Sequence, residues 1–417
     1  MSTMQSATHT NARIIAAYFI LLLSFFGLTV ITNTIPRSAI ESNLRESVNK
    51  IAAEGEYPVH GMALFTQDNF TDCVIMNIAA GVDASAPVHS AMSNTLHFSK
   101  IGIITSTQSF IEGEQVEAYD YARYWHGNQI FLRPLLCVTD YQGIRIINFI
   151  LITLLTIACI FFAFTRISRG FAITLLAALV LGGIVIIPFN MQFVTCFYIM
   201  MTGMIIIMIW KDKFSASPNA YLLFFVLGGL TQFFDLLTTP LITLGFPLMA
   251  WCFINKPSNA VKTVITISLI WLAGYASLWA SKWVLAQLIT GNDYISDAIN
   301  SARIRTVGSE RAEKGATNVT IVQQLIKYLT LVWPVILAAV ALLAAAYWRY
   351  ARPREVIRGR LWLLLVAAMP FVWAAVLTQH TFIHFFFTWR IFLLAFVAGL
   401  MFIVLTLKRP KWLGGNS

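Results

Sequence analysis

Residues 14–35, "IIAAYFILLLSFFGLTVITNTI", run through twenty-two positions without a charged side chain. A helix needs roughly 20 apolar residues to cross a bilayer core, so this run predicts a membrane-spanning helix. Its apolar core is too long for a secretory signal and no small-residue cleavage site follows, so it reads as a retained anchor. Nine further runs have the same character, at about 146–165, 170–188, 191–210, 219–236, 238–254, 261–285, 328–348, 361–379 and 388–407. The seventh of the ten is longer than a bilayer requires and is expected to tilt or protrude. Composition agrees, with 58% hydrophobic and 12% charged residues, about half the charged share of a soluble domain. The expected fold is an all-α polytopic membrane protein, a single membrane domain over residues 1–417. It would have ten transmembrane helices and a long first extracytoplasmic loop, 36–145, containing interfacial helices.

Lys and Arg set the expected orientation. With the N-terminus inside, the inner segments hold Arg13, then Arg166 and Arg169, then Lys211 and Lys213, then Lys256 and Lys262. Arg349, Arg352, Arg354, Arg358 and Arg360 follow, and Lys408, Arg409 and Lys411 close the series. The short outer turns near 189, 237 and 381 have no Lys or Arg. Both termini are therefore expected on the cytoplasmic side. The formal charge of +10 is a topology signal, and no nucleic-acid partner is expected. Acids take the other side: seventeen of nineteen fall outside by this map, twelve of them within 36–145. They would either solvate a large outer loop or serve chemistry there.

Within that loop, Ile40, Leu44, Val48 and Ile51 make one stripe of an amphipathic helix. Next comes "QDNFTDCVIMNIAAG", residues 67–81, with Asp68 and Asp72 one helical turn apart ahead of an apolar run. Like charges at that spacing weaken an isolated helix, so the pair needs a use. The segment "NQIFLRPLL" is too short to span and is expected to lie along the outer leaflet. A second outer segment, 288–324, carries Arg303, Arg305 and Arg311 with Gly308 and Gly315. It suits a mobile loop over a site, or a plain solvated connection. Cys73 and Cys137 both lie outside, where an oxidising compartment would permit a disulfide. Cys159, Cys196 and Cys252 fall within spans as packing residues.

Ionisable groups in or beside spans are costly unless paired or facing a water-filled cavity. Asp235, in "GGLTQFFDLLTTPLITLGFP", ends the fifth span and either caps the next helix or faces a cavity. "TQHTFIHFFFTWR" places His380 and His384 four apart, with Arg390 beyond. The histidines lack a third metal ligand and suit hydrogen bonding to an anion, with Arg390 as fixed charge or as a snorkelling residue. "DYARYWHG" gathers Asp120, Arg123, Trp125 and His126, which suits a sugar or head-group site as well as an aromatic belt. No metal site is assigned.

Taken together, the first span, the long outer loop with "DNFTD", and the "DYARYWHG", "TQFFDLLTTPLITLGFP" and "HTFIHFFFTWR" segments resemble the integral-membrane glycosyltransferases of the GT-C fold. The resemblance covers most of the chain through loose motifs, and within the superfamily it points to a bacterial branch. It implies an inverting transferase that moves a sugar from a polyprenyl-phosphate donor to an envelope glycan or other acceptor. Transfer would occur at the outer face of the bacterial cytoplasmic membrane. An acid in the first outer loop would be the base, here Asp68 with Asp72 beside it. Arg303, Arg305 and Arg390 would hold the donor phosphate, while Asp120, Arg123, His126 and Asp235 would shape the sugar pocket. No cofactor is required beyond the lipid-linked sugar, and a divalent metal is left open. A flippase and a donor synthase would be further partners. Other classes compatible with this composition are a polysaccharide polymerase acting on lipid-linked sugars and a lipid or glycan transporter. A transporter would place ionisable groups near the midplane of related halves, which the sequence does not.

Overall fold

A computed structural model describes residues 2–61, 65–215, 217–307 and 353–407, with positions 323, 345 and 350 besides. The chain opens with helix α1, Ser2–Asn33, whose residues Ile15, Phe19, Ile20, Leu23 and Ile31 are all more than half exposed. A face of that kind is untenable in water over several turns and natural against lipid. Among the described residues, five helical stretches are long and apolar enough to cross a membrane: Thr10–Asn33 of α1, α7 (Tyr141–Arg166), α9 (Met191–Ile209), α12 (Ala260–Thr290) and the composite Phe385–Thr406. Shorter apolar helices are α8 (Arg169–Leu181) and α11 (Leu241–Asn255), with Leu361–Val376 later in the chain. Between α9 and α11 stands α10, Ser217–Phe234. The molecule is an all-α membrane protein carrying one small sheet. The expected span 328–348 lies outside the described residues.

At 31 residues, α12 is about 46 Å long by its rise of 1.5 Å per residue. It is therefore longer than a bilayer core, and its last turns reach the unit formed by residues 36–140. Its contact with α10 depends on two glycines. A Cβ on Gly228 would run into the Trp271 carbonyl, and one on Gly274 into the Phe225 carbonyl. Each helix offers a glycine to the other's backbone, which is how apolar helices gain contact where lipid gives no hydrophobic drive.

The segment after α1 folds as a compact unit: α2 (Arg37–Glu54), α3 (Asn69–Ala80), α4 (Pro87–Ser93), β1 (Thr95–His97), α5 (Ile103–Glu112), β2 (Ala118–Asp120) and α6 (Gln129–Leu136). β1 and β2 pair antiparallel, with Thr95 opposite Asp120. The stripe Ile40, Leu44, Val48 and Ile51 is wholly buried, as its spacing predicts. Cys73, Ile75 and Met76 of α3 pack in the same core, joined by Tyr141 and Ile144 of α7 and Met191 of α9. This core seats the unit on the ends of the apolar helices.

One expectation changes here. α3 does not lie on a lipid surface; only Phe70 and Thr71 of its twelve residues keep partial exposure. Its apolar residues run around the whole helix, so α2 and α5 cover one side and α7 and α9 another. Cys73 and Cys137 are both free thiols, the first buried and hydrogen-bonded to Thr107 Oγ1 and the second exposed. In place of an open loop after α12, Tyr294–Val307 forms α13. Asp293 starts it, its carboxylate accepting from the Ser296 amide at 3.0 Å. Residues 308–322 and 324 of that segment lie outside the described residues. From residue 353 on, the described helices are α14 (Arg354–Arg358), α15 (Leu361–Val376), α16 (Thr378–Ile383), α17 (Phe385–Thr388) and α18 (Leu393–Thr406).

Candidate functional site

Asp68 caps α3, its carboxylate accepting from the Thr71 amide at 3.0 Å and the Thr71 hydroxyl at 2.8 Å. The Gln192 side-chain amide donates to the same group. Asp72, four residues on, caps a different helix. It accepts from the Met191 amide at 3.0 Å, the Asn190 amide at 2.8 Å and the Tyr141 hydroxyl. A carboxylate at the N-terminus of α9 meets both the free amides and the positive end of the helix dipole. Both acids are buried. Burial pushes Asp68 up to about 6 and Asp72 up to about 7, against the hydrogen bonds that favour ionisation. Beside them Arg145 grips Glu54 with two bonds of 2.6 and 2.8 Å and reaches Asn69 at 3.1 Å. Its planar fork matches a carboxylate, and here it locks α7 to α2 and α3.

A chain of contacts leads from Asp68 toward Asp235. The Gln192 carbonyl accepts from the Thr238 hydroxyl at 3.4 Å, and the same hydroxyl donates to Asp235 Oδ1. Asp235 Oδ1 also accepts from the Thr238 amide at 2.9 Å, closing a turn in which Leu237 takes a φ of 66°. Asp235 therefore does not cap the next helix, which starts at Leu241 after Pro240 with no side-chain cap; one of its oxygens closes the turn ahead of it instead. Its other oxygen is buried with no hydrogen-bond partner among the described residues. His380 Nε2 donates to the Leu237 carbonyl at 2.9 Å, and His384 packs against it at 4.8 Å between ring centroids. Burial, then His384 and Arg305, holds His380 down to about 3, and burial with Arg305 holds His384 down to about 4. Both imidazoles are neutral. No group of three or more His, Cys, Asp or Glu that could hold a metal occurs among the described residues.

Arg305 comes from α13, which packs against α16. Its guanidinium sits over the Tyr124 ring at 5.6 Å and within electrostatic reach of Tyr121, Tyr275, Asp297, His380 and His384. It forms no hydrogen bond or ion pair with a described residue. Arg303, two residues earlier, points the other way and is exposed. Arg390 is buried beneath the rings of Phe193 and Trp389 and donates to the Gly182 carbonyl at 3.0 Å. It therefore engages the C-terminal end of α8.

The "DYARYWHG" stretch supplies the aromatic wall. Asp120 accepts from Asn292 at 3.0 Å and from the Tyr294 hydroxyl, pinning the sheet to the start of α13. Arg123 bonds Ser301 at 2.6 Å and pairs with Asp297 at 3.4 Å, and its carbonyl accepts from the indoles of Trp279 and Trp283. Trp125 is core, packed on Phe25 and Phe233 with its indole on the Leu278 carbonyl at 2.8 Å. His126 holds a φ of 53° ahead of Gly127, whose amide donates to the Phe233 carbonyl at 2.9 Å where a Cβ would collide. Burial, with Lys282 second, lowers His126 to about 3, and its Nδ1 has no partner. Tyr275 OH, Thr239 Oγ1 and Thr381 Oγ1 are buried and unpartnered as well.

The structure thus brings Asp68, Asp235, His126, Arg305, His380 and His384 to one end of the bundle. It leaves Arg303 on the surface and gives Trp125 and Arg390 packing and capping contacts. Asn190, Gln192, Thr238 and Tyr275 are additions. Their signal was present in the sequence as polar side chains at the edge of apolar runs, where a membrane makes them expensive. Compared with known proteins, the chain matches no family model, no curated sequence and no solved structure.

Proposed function

We propose that the protein is a membrane glycosyltransferase that moves a sugar from a polyprenyl-phosphate donor to an envelope acceptor. The ten-span arrangement with both ends inside, at the bacterial cytoplasmic membrane, belongs to the same proposal. One observation carries it: a cation with no hydrogen bond or ion pair to a described residue and an acid with one oxygen unpartnered among the described residues share a buried, aromatic-walled end of the bundle. Buried polar atoms are nearly always satisfied, so the unpartnered oxygens and nitrogens of Asp235, Tyr275, His126, Thr239 and Thr381 suit a polyhydroxy ligand. Aromatic faces alternating with such groups suit a sugar ring.

In the reaction, the acceptor hydroxyl attacks the anomeric carbon and gives up its proton, while the bond to the donor phosphate breaks. Asp68 would take the proton. A carboxylate poised near 6 is ionised at neutral pH yet remains basic enough for general-base work. Arg305 would meet the charge that grows on the leaving phosphate, where preorganised donors contribute most. The neutral His384 would donate a hydrogen bond without adding a second charge, while His380, whose one N–H is held by the Leu237 carbonyl, would offer Nδ1 as an acceptor. Asp72 would hold α9, and with it Gln192, in register under Asp68. The decisive experiment assays transfer in membranes containing the protein, its Asp68→Asn variant and its Arg305→Ala variant. Loss of transfer in both, with normal insertion, supports the reading; full transfer by Asp68→Asn refutes the base.

A second reading of the same chemistry assigns the base to Asp235, because its Oδ2 is unpartnered. Asp235→Asn in the same assay separates the two.

A further inference from the structure

At the far end of the bundle from Asp68 lies a cavity of about 680 Å³. It sits where Asn259 starts α12, and α12 runs from there to the aromatic wall at Tyr275, Trp279 and Trp283, so the two sites are roughly 25–35 Å apart along that helix. The lining has two halves. Lys256, Arg358 and Arg360 supply three cations, and no acid among the described residues lines the cavity. Phe253, Trp362, Met401 and Leu405 make the other half apolar. None of the three cations forms a hydrogen bond or ion pair through its side chain with a described residue, in contrast to Arg145 or Arg123.

Three helix starts meet at this cavity as well: Ser168 of α8, Asn259 of α12 and Arg360 of α15 all line it. Ser168 and Asn259 cap their own helices, while α15 has no side-chain cap. Each start is the positive end of a dipole, so the field of the backbone adds to that of the side chains. Bordering positions Val261, Leu361, Leu364 and Val404 are exposed apolar residues at the ends of apolar helices.

We propose that this cavity binds the phosphate head group of an anionic phospholipid, with an acyl chain against the Trp362, Met401 and Leu405 wall. The two-part lining decides the occupant. A free phosphate would use the cations and leave the apolar half in water, whereas a lipid satisfies both. Basic pockets between membrane helices hold anionic head groups through this combination. The site is separate from the transfer site and does not depend on the proposed activity.

The test uses the full-length protein in vesicles of phosphatidylcholine containing one-fifth phosphatidylglycerol, with the lipids retained after detergent extraction counted by native mass spectrometry. The wild type should retain phosphatidylglycerol over phosphatidylcholine well beyond its share of the vesicle. In Lys256→Gln/Arg358→Gln/Arg360→Gln the preference should fall to that share. Lys256 and Arg358 are exposed and Arg360 is half-buried, and an unchanged melting temperature of the triple variant shows that its fold is intact. Lys211→Gln/Lys213→Gln, basic residues that do not line the cavity, should keep the preference. Inorganic phosphate added to the extracted wild type should not displace the lipid. The proposal is overturned if the wild type shows no preference, if the triple variant keeps it, or if the Lys211/Lys213 variant loses it equally. Displacement by phosphate alone overturns the lipid as occupant.

Discussion

Asp68 and Asp72 sit one turn apart and meet different fates. Asp72 has three donors, one of them the first amide of α9, and no room for a ligand. Asp72→Ala would leave those donors buried and unpaired, at a cost of several kcal/mol. Thermal unfolding in detergent should show a fall of many degrees. Asp68→Asn keeps the size of the side chain and an acceptor for Thr71, so its melting should change little while transfer drops by roughly 10²–10⁴-fold. The acid values set the pH dependence. Asp68 must be ionised to act as a base, so the rate should rise with pH through about 6, and that limb should vanish in Asp68→Asn. Stability runs in the opposite direction. Both acids have folded values raised above their unfolded ones, so the folded state binds more protons, and stability falls as pH rises from about 4 through about 7. Melting measured across that window should decline toward neutral pH, and less steeply in Asp68→Asn. A site placed by residue type alone was legible for Asp68, Asp235 and the histidines, because acids and imidazoles beside apolar runs are conspicuous. Arg390 and Trp125 were not separable from ligand-binding residues on that basis, since a buried Arg on a carbonyl and a buried Trp in a core carry the same letters.

At the level of elements, buried cations end helices. Arg133 donates to the Ala79 carbonyl of α3 and to the Thr32 and Ile35 carbonyls at the end of α1. Lys282 does the same for α4 through Ala91 at 2.8 Å and Met92 at 2.9 Å, and Arg390 for α8. The last carbonyls of a helix have no partner of their own and form its negative end. Arg133→Met should therefore destabilise the protein by several kcal/mol even though no acid is left unpaired, and a shift in thermal unfolding is the check. The crossing of α10 and α12 is as exacting. Gly228→Val would push a side chain into the Trp271 carbonyl, and the protein should be recovered mostly aggregated on size-exclusion chromatography, while Gly399→Ala, at a position with open space, should behave as wild type. The long apolar helices and the α2 stripe were legible because period and length speak directly. α13 and the burial of α3 were less so, since a polar helix docked on partners lacks a stripe and an apolar one does not name what covers it.

Across the described residues, apolar helices gather acids, tyrosines, histidines and Arg305 at one end and the cations Lys256, Arg358 and Arg360 at the other. That division was visible in the sequence as a segregation of charge. The convergence of four separate segments on one aromatic-walled site was not, because it depends on contacts such as Gln192 to Asp68 that join residues more than a hundred positions apart. The central claim is that this end transfers a sugar. It is tested most directly by mass analysis of the surface glycans and glycolipids of cells lacking the protein, complemented with wild type or with Asp68→Asn. The account predicts that a species heavier by one sugar residue disappears in the deletion, returns with wild type and does not return with Asp68→Asn. An unchanged glycan profile in the deletion, or full restoration by Asp68→Asn, would contradict it.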